Sequence, residues 1–118
     1  MSYDIYLLDP VSREVLHMDE PHLLRGGTYA MHGTTEMRFN ITYNYVHHFR
    51  RLLGENGIRS IYGMSAAESL PRLLTAADAL GNDVSEDYWE PTEGNAKRAL
   101  LALVALARLR PDGVWAGD

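Results

Sequence analysis

From Ala99 to Ala107 every position is apolar, whereas Thr92 to Arg98 just before it is small, polar or charged. A helix that is apolar on all sides cannot lie on a surface. The pattern therefore predicts a central, buried C-terminal helix, opened by Thr92 as N-cap and stopped at Pro111. Its polar, donor-rich mouth is the first candidate for a site. Upstream, Tyr3 to Leu8 carries β-branched and aromatic residues in partial alternation, which predicts a strand turning at Asp9-Pro10, with Val11 to Leu16 returning as a hairpin arm. His17 to His22 and Leu23 to Gly27 are rich in breakers and read as a connection with at most one helical turn. Two further strands are expected at Thr28 to Met31 and Thr35 to Ile41, around the turn His32-Gly33-Thr34. Met37, Phe39 and Ile41 fall on one face of the second, and Glu36, Arg38 and Asn40 on the other.

At Thr42 the period changes from two to that of a helix. Tyr45, Phe49, Leu52 and Leu53 recur at helical spacing, Arg50 and Arg51 suit a last turn, and Gly54 supplies the stop, so a helix spans Thr42 to Leu53. Gly57 to Gly63 fits either a short strand or a rigid loop. Ser65-Ala66-Ala67-Glu68 has the form of a capping box and opens a second helix, with Leu70, Leu73, Leu74, Ala77 and Leu80 on its apolar face. Pro71 leaves two readings: it lies inside that helix, or Ser69 is a second N-cap and Pro71 sits in the first turn. An acidic loop, Asn82 to Glu90, leads into the C-terminal helix, and Trp115 is expected to pin the tail against the core. Strands gathered before helices predict an α+β fold: an antiparallel sheet of three to five strands, with about three helices on one face.

Composition narrows the class. The 118 residues, 46% of them hydrophobic and 23% charged, suit one globular domain spanning residues 1–118. No run of about eighteen apolar residues is present, and the first residues lack a basic, apolar leader, so a soluble cytoplasmic protein is expected, without membrane partners. Cysteine is absent, which removes disulfides, thiolate metal sites and cysteine nucleophiles. A formal charge of −5 disfavours direct binding to a nucleic-acid backbone.

Catalytic motifs are missing. The five histidines, at 17, 22, 32, 47 and 48, show no metal-ligand spacing, and neither a Gly-x-Ser-x-Gly elbow nor a phosphate-cradling Lys-Ser/Thr loop occurs. Carboxylates are abundant, but acid–base chemistry needs two of them in different environments. No metal, cofactor or catalytic residue is assigned, and an enzyme is the less favoured class.

Two sites from different functional classes remain. Thr28, Tyr29, Tyr43, Asn44, Tyr62, Thr92, Asn95, Lys97 and Arg98 are small, polar, aromatic or basic residues that the predicted topology leaves near element ends. Helix-mouth amides and basic side chains would neutralise a small anionic or nucleotide-like ligand, and tyrosine faces would stack on a ring. Each also has a purely structural role available, as cap or layer filler. The alternative is a protein-interaction surface or inhibitor, possibly a homo-oligomer, built on Asp83, Glu86, Asp87, Tyr88 and Trp89, where acids surround two aromatics.

The strings Ser2 to Leu7, Ile41 to Tyr45, Gly57 to Gly63, Pro91 to Lys97 and Arg110 to Trp115 together resemble a family of small proteins from bacteria and their phages or prophages, for which no activity is established. The resemblance spans nearly the whole chain. It implies a context of binding and blocking a host component, either by covering a protein surface or by sequestering a nucleotide messenger.

Overall fold

A computed structural model describes residues 1–22 and 33–118. The chain is α+β. Strand β1 (Ser2–Leu8) is the middle of a three-stranded antiparallel sheet, flanked by β4 (Arg38–Thr42) and β5 (Val114–Gly117). Tyr3 lies opposite Ile41, Ile5 opposite Phe39, and Leu7 opposite Trp115. Because side chains alternate across the pleat, Tyr3, Ile5, Leu7, Phe39, Ile41 and Trp115 all enter the core. The opposite face is polar: Asn40 donates through Nδ2 to Ser2 Oγ at 2.7 Å and to Asp4 Oδ1 at 2.9 Å. Helices α1 (Val46–Leu53), α2 (Ala66–Asp78) and α3 (Glu93–Leu109) pack on the apolar side.

A second, two-stranded sheet pairs β2 (His17–His22) with β3 (Thr34–Glu36). It overturns the expectation of an irregular connection at His17 to His22. The pairing comes from distant residues: His17 Nδ1 lies 2.9 Å from Thr35 Oγ1, and His22 Nε2 donates to Glu36 O at 2.7 Å. Pro21 is tolerated because the register shifts between His17 and His22. The hairpin arm expected at Val11 to Leu16 is correspondingly short. Asp9 Oδ1 accepts from the amides of Val11 and Ser12, both at 2.9 Å, closing a turn that leaves only a bridge between Leu8 and Val15. Leu16 and Met37 then join the sheets, since Leu7 donates its amide to Met37 O and accepts from the Leu16 amide. The expected strand Thr28 to Met31 lies outside the described residues, as do Thr28, Tyr29 and His32.

The first expected helix divides. Tyr43–Tyr45 forms a 3₁₀ turn capped by Thr42 Oγ1, and α1 follows, ending at Gly54 with φ 99°. Gly57–Ile61 is neither of the alternatives expected for it but a 3₁₀ helix. Ile58 and Ile61, three apart and both fully buried, show why: that spacing superposes on one face when there are three residues per turn. The capping box at Ser65 and Glu68 is present, and α2 continues past Pro71. Ser69 is therefore no second cap. It is buried, donating to Ala66 O at 2.8 Å and accepting from Trp115 Nε1 at 2.7 Å.

Helix α3 buries Leu100, Leu103 and Leu106 completely, but Arg98, Leu101, Ala105 and Arg108 form an exposed stripe along one side. The enclosure expected on all sides is thus incomplete along that stripe. The tail carries a strand that the sequence reading did not anticipate, since β5 spans only four residues and its partners lie about a hundred positions earlier. Trp115 pins it, as expected, at 1% exposure. Among the described residues no helix is long and apolar enough to cross a membrane.

Candidate ligand pocket

The mouth of α3 is occupied by the chain's own acidic loop. Thr92 Oγ1 accepts from the Asn95 amide at 3.1 Å, and Asp83 Oδ1 accepts from the Gly94 amide at 3.2 Å. Two of the amides that would have faced an anion are thereby satisfied. Lys97 is also engaged, donating through Nζ to Asn82 Oδ1 at 3.0 Å and to Leu80 O at 3.4 Å. Thr92 and Lys97, expected to hold a ligand, instead fasten the loop, because a carboxylate and an amide oxygen of the same chain already sit where an anion would go.

Gly94 makes this approach possible. A Cβ there would lie 2.6 Å from both Asp83 C and Val84 N. Those are backbone atoms, which cannot swing aside as a side-chain end can. Gly94→Ala should therefore destabilise the fold by up to about 2 kcal/mol in urea denaturation, an overpacking cost of about 1–3 kcal/mol outweighing alanine's helix-propensity gain of about 1 kcal/mol. A stabilised variant would show that the loop does not rest on the helix.

Asn95 organises the remainder of the loop. It is 5% exposed, and its Oδ1 accepts from the Ser85 amide at 3.1 Å. Its Nδ2 donates to Asp87 O at 3.0 Å and to Glu90 O at 2.9 Å. Further ties run to the helical layer: Tyr45 donates its hydroxyl to Tyr88 O, Asn44 Nδ2 donates to Trp89 O at 2.8 Å, and His48 Nε2 donates to Pro91 O at 2.9 Å. Tyr88 reaches the outer edge of β4, its hydroxyl accepting from the Thr42 amide at 2.9 Å. Beside His48, burial first and then the neighbouring His48 and Arg51 push the His47 imidazole below its ordinary pKa.

This fastening leaves a cavity of about 170 Å³ between the loop, β4 and the flank of α3. Phe39, Tyr45, Tyr88, Ala99 and Ala102 give it aromatic and small apolar walls, and Ser85, Glu86, Asn95 and Arg98 are its polar members. Most of that polarity is spent internally. Ser85 Oγ donates to Glu90 Oε2 at 2.6 Å and accepts from the Asp87 amide at 3.1 Å, and Asn95 is occupied as described. Glu86 and Arg98 differ: neither side chain has a hydrogen bond or ion pair among the described residues.

The two expected sites therefore merge. Asn95 and Arg98 from the ligand set meet Glu86 and Tyr88 from the partner set around one cavity. Asp83 serves the Gly94 amide of α3 and Asp87 one of the loop's own, Asp87 Oδ1 accepting from the Trp89 amide at 3.0 Å. Trp89 stays 47% exposed. Tyr43 and Tyr62 are not brought to the cavity. They belong to a clasp around Arg59, whose NH2 donates to Tyr43 Oη at 2.6 Å and whose Nε donates to Asp118 O at 2.9 Å. The guanidinium lies 5.1 Å from the Tyr3 ring centre and 5.5 Å from that of Tyr43. Burial, reinforced by Asp118, pushes the Tyr62 hydroxyl above its ordinary pKa.

Phe39, Ser85, Ala99 and Ala102 were not anticipated as site residues. The available signal was Ala99 and Ala102 beside Arg98, one and four positions along the same helix, since short side chains leave space next to a cation. Glu86 is the single carboxylate among the described cavity residues, so acid–base chemistry by a carboxylate pair has no second group there. Among the described residues no group of three His, Asp or Glu is placed to hold a metal. Comparison with protein-family models, curated proteins and solved structures finds no match.

Proposed function

We propose that the chain is a non-enzymatic binding protein whose cavity on the flank of α3 captures a small ligand bearing an anionic group. The observation that carries this reading is an aromatic-walled recess with an unpaired guanidinium, Arg98, at its side. Size supports a ring-sized occupant: about 170 Å³ is close to the ~150 Å³ of a cavity that holds benzene, and below the ~300 Å³ at which sites for drug-sized ligands begin. A nucleotide would enter only by its base. Within the resemblance to small phage and bacterial proteins, such capture would sequester a host small molecule.

The test is a thermal-shift series with benzoate, 3-phenylpropionate, L-phenylalanine and adenosine monophosphate. A ligand that binds only the folded state stabilises it by mass action, about 2.7 kcal/mol at a hundredfold excess over Kd. At least one probe should raise Tm in the native protein, Arg98→Ala should lose the gain, and Lys97→Ala should keep it because Lys97 is bonded to Leu80 and Asn82. No shift with any probe, or a gain that survives Arg98→Ala, overturns the reading. A second reading, a protein-interaction surface on the acidic loop, is favoured by one observation: Val84 and Trp89 are 49% and 47% exposed on a loop that Asn95 holds rigid.

A further inference from the structure

Glu86 and Arg98 carry opposite charges, line the same cavity, and yet do not pair with each other or with any described residue. Opposite charges lining one small recess have a definite consequence for selectivity. A purely anionic ligand is attracted by the guanidinium but repelled by the carboxylate, and a purely cationic ligand meets the reverse. Only a molecule carrying both signs close together gains from both. From this pairing of charges over an aromatic recess we infer that the ligand is a free α-amino acid with an aromatic side chain, its carboxylate on Arg98, its ammonium on Glu86 and its ring against Phe39, Tyr45 and Tyr88.

The inference rests on the ligand-capture reading and deepens it. An α-amino acid bears its ammonium and carboxylate on one carbon, so both charges stay within one small recess while the side chain meets the aromatic walls. The remaining polar groups do not compete, since Ser85 and Asn95 are already bonded within the loop. The requirement for both charges also excludes a chain end as the occupant. A peptide's N-terminal residue lacks the free carboxylate, and its C-terminal residue lacks the ammonium.

Isothermal titration of the intact protein with L-phenylalanine, 3-phenylpropionate and 2-phenylethylamine separates the contributions. L-Phenylalanine should bind at least tenfold more tightly than either singly charged probe. Glu86→Gln should weaken phenylalanine at least tenfold while leaving phenylpropionate unchanged or slightly tighter, and Arg98→Gln should weaken phenylalanine and phenylpropionate together. Both residues are exposed, so the variants should melt like the native protein, which circular dichroism checks. If phenylpropionate equals phenylalanine and Glu86→Gln has no effect, the amino-acid inference falls while anion capture stands. If none of the three probes binds, both fall. If phenylethylamine binds most tightly, Arg98 is not the ligand's partner and both fall.

Discussion

Trp115→Ala is expected to lower the unfolding free energy by about 3–5 kcal/mol, the range for removing a large buried aromatic, against a total of about 5–15 kcal/mol for a typical domain. The residue is 1% exposed and joins three parts of the molecule. Its backbone faces Leu7 of β1 on one side and, on the other, donates to Met64 O at 3.0 Å and accepts from the Gly63 amide at 2.9 Å. Its indole reaches Ser69 in the first turn of α2. Alanine leaves a void between sheet and helices that the surrounding strands cannot collapse into without breaking their register. Trp115→Phe separates shape from hydrogen bonding and should cost less, because Ser69 Oγ keeps its bond to Ala66 O. Urea denaturation followed by far-UV circular dichroism gives both values. A loss below about 1 kcal/mol for the alanine variant would show that β5 is not seated on the core.

Asn95→Asp is the second large effect, expected near 3 kcal/mol although only one atom type changes. In the native protein Nδ2 gives both of its hydrogens to carbonyls, those of Asp87 and Glu90. A carboxylate places an acceptor against those two acceptors, buries a charge and leaves the carbonyls unpaired, each such loss costing about 1–3 kcal/mol. Asn95→Ala removes the same bonds without adding the charge and should be the milder substitution. Beyond stability, both should loosen the wall formed by Ser85, Glu86 and Tyr88 and abolish ligand-induced gains in Tm. Near-UV circular dichroism, which reports the fixed packing of Tyr88 and Trp89, should diminish as well. A variant that unfolds like the native protein with an unchanged near-UV spectrum would show that Asn95 does not hold the loop.

Local features were legible wherever neighbouring residues decide them. The period of two at Met37, Phe39 and Ile41, the capping box at Ser65 and Glu68, and the Thr92 cap each depend on contacts within a few positions, and each is present. Features decided by distant partners were not. β2 exists because Thr34 to Glu36 pairs with it, and β5 because β1 does, so neither could be read from its own Pro- or Gly-containing residues. The same holds for the site. Arg98 and Tyr88 were recognised as functional types but assigned to rival surfaces, since nothing short of the fold reveals that Asn95 draws the acidic loop back over its own helix. Lys97 read as a phosphate partner by its charge alone, whereas its reach to Leu80 O depends on how α2 ends beside α3.

The middle position of β1 has a consequence for how the protein is made. Strand β1 precedes both of its neighbours in the chain, β4 by some forty residues and β5, at Val114–Gly117, by about a hundred. Closing so long a loop is entropically slow, and until β5 has left the ribosome one edge of β1 has no backbone partner. The nascent chain must therefore carry β1 with one open edge, and with Tyr3, Ile5 and Leu7 on one face, while the hundred or so residues that separate it from β5 are made, a period in which chaperone binding or misassociation competes with completion of the sheet.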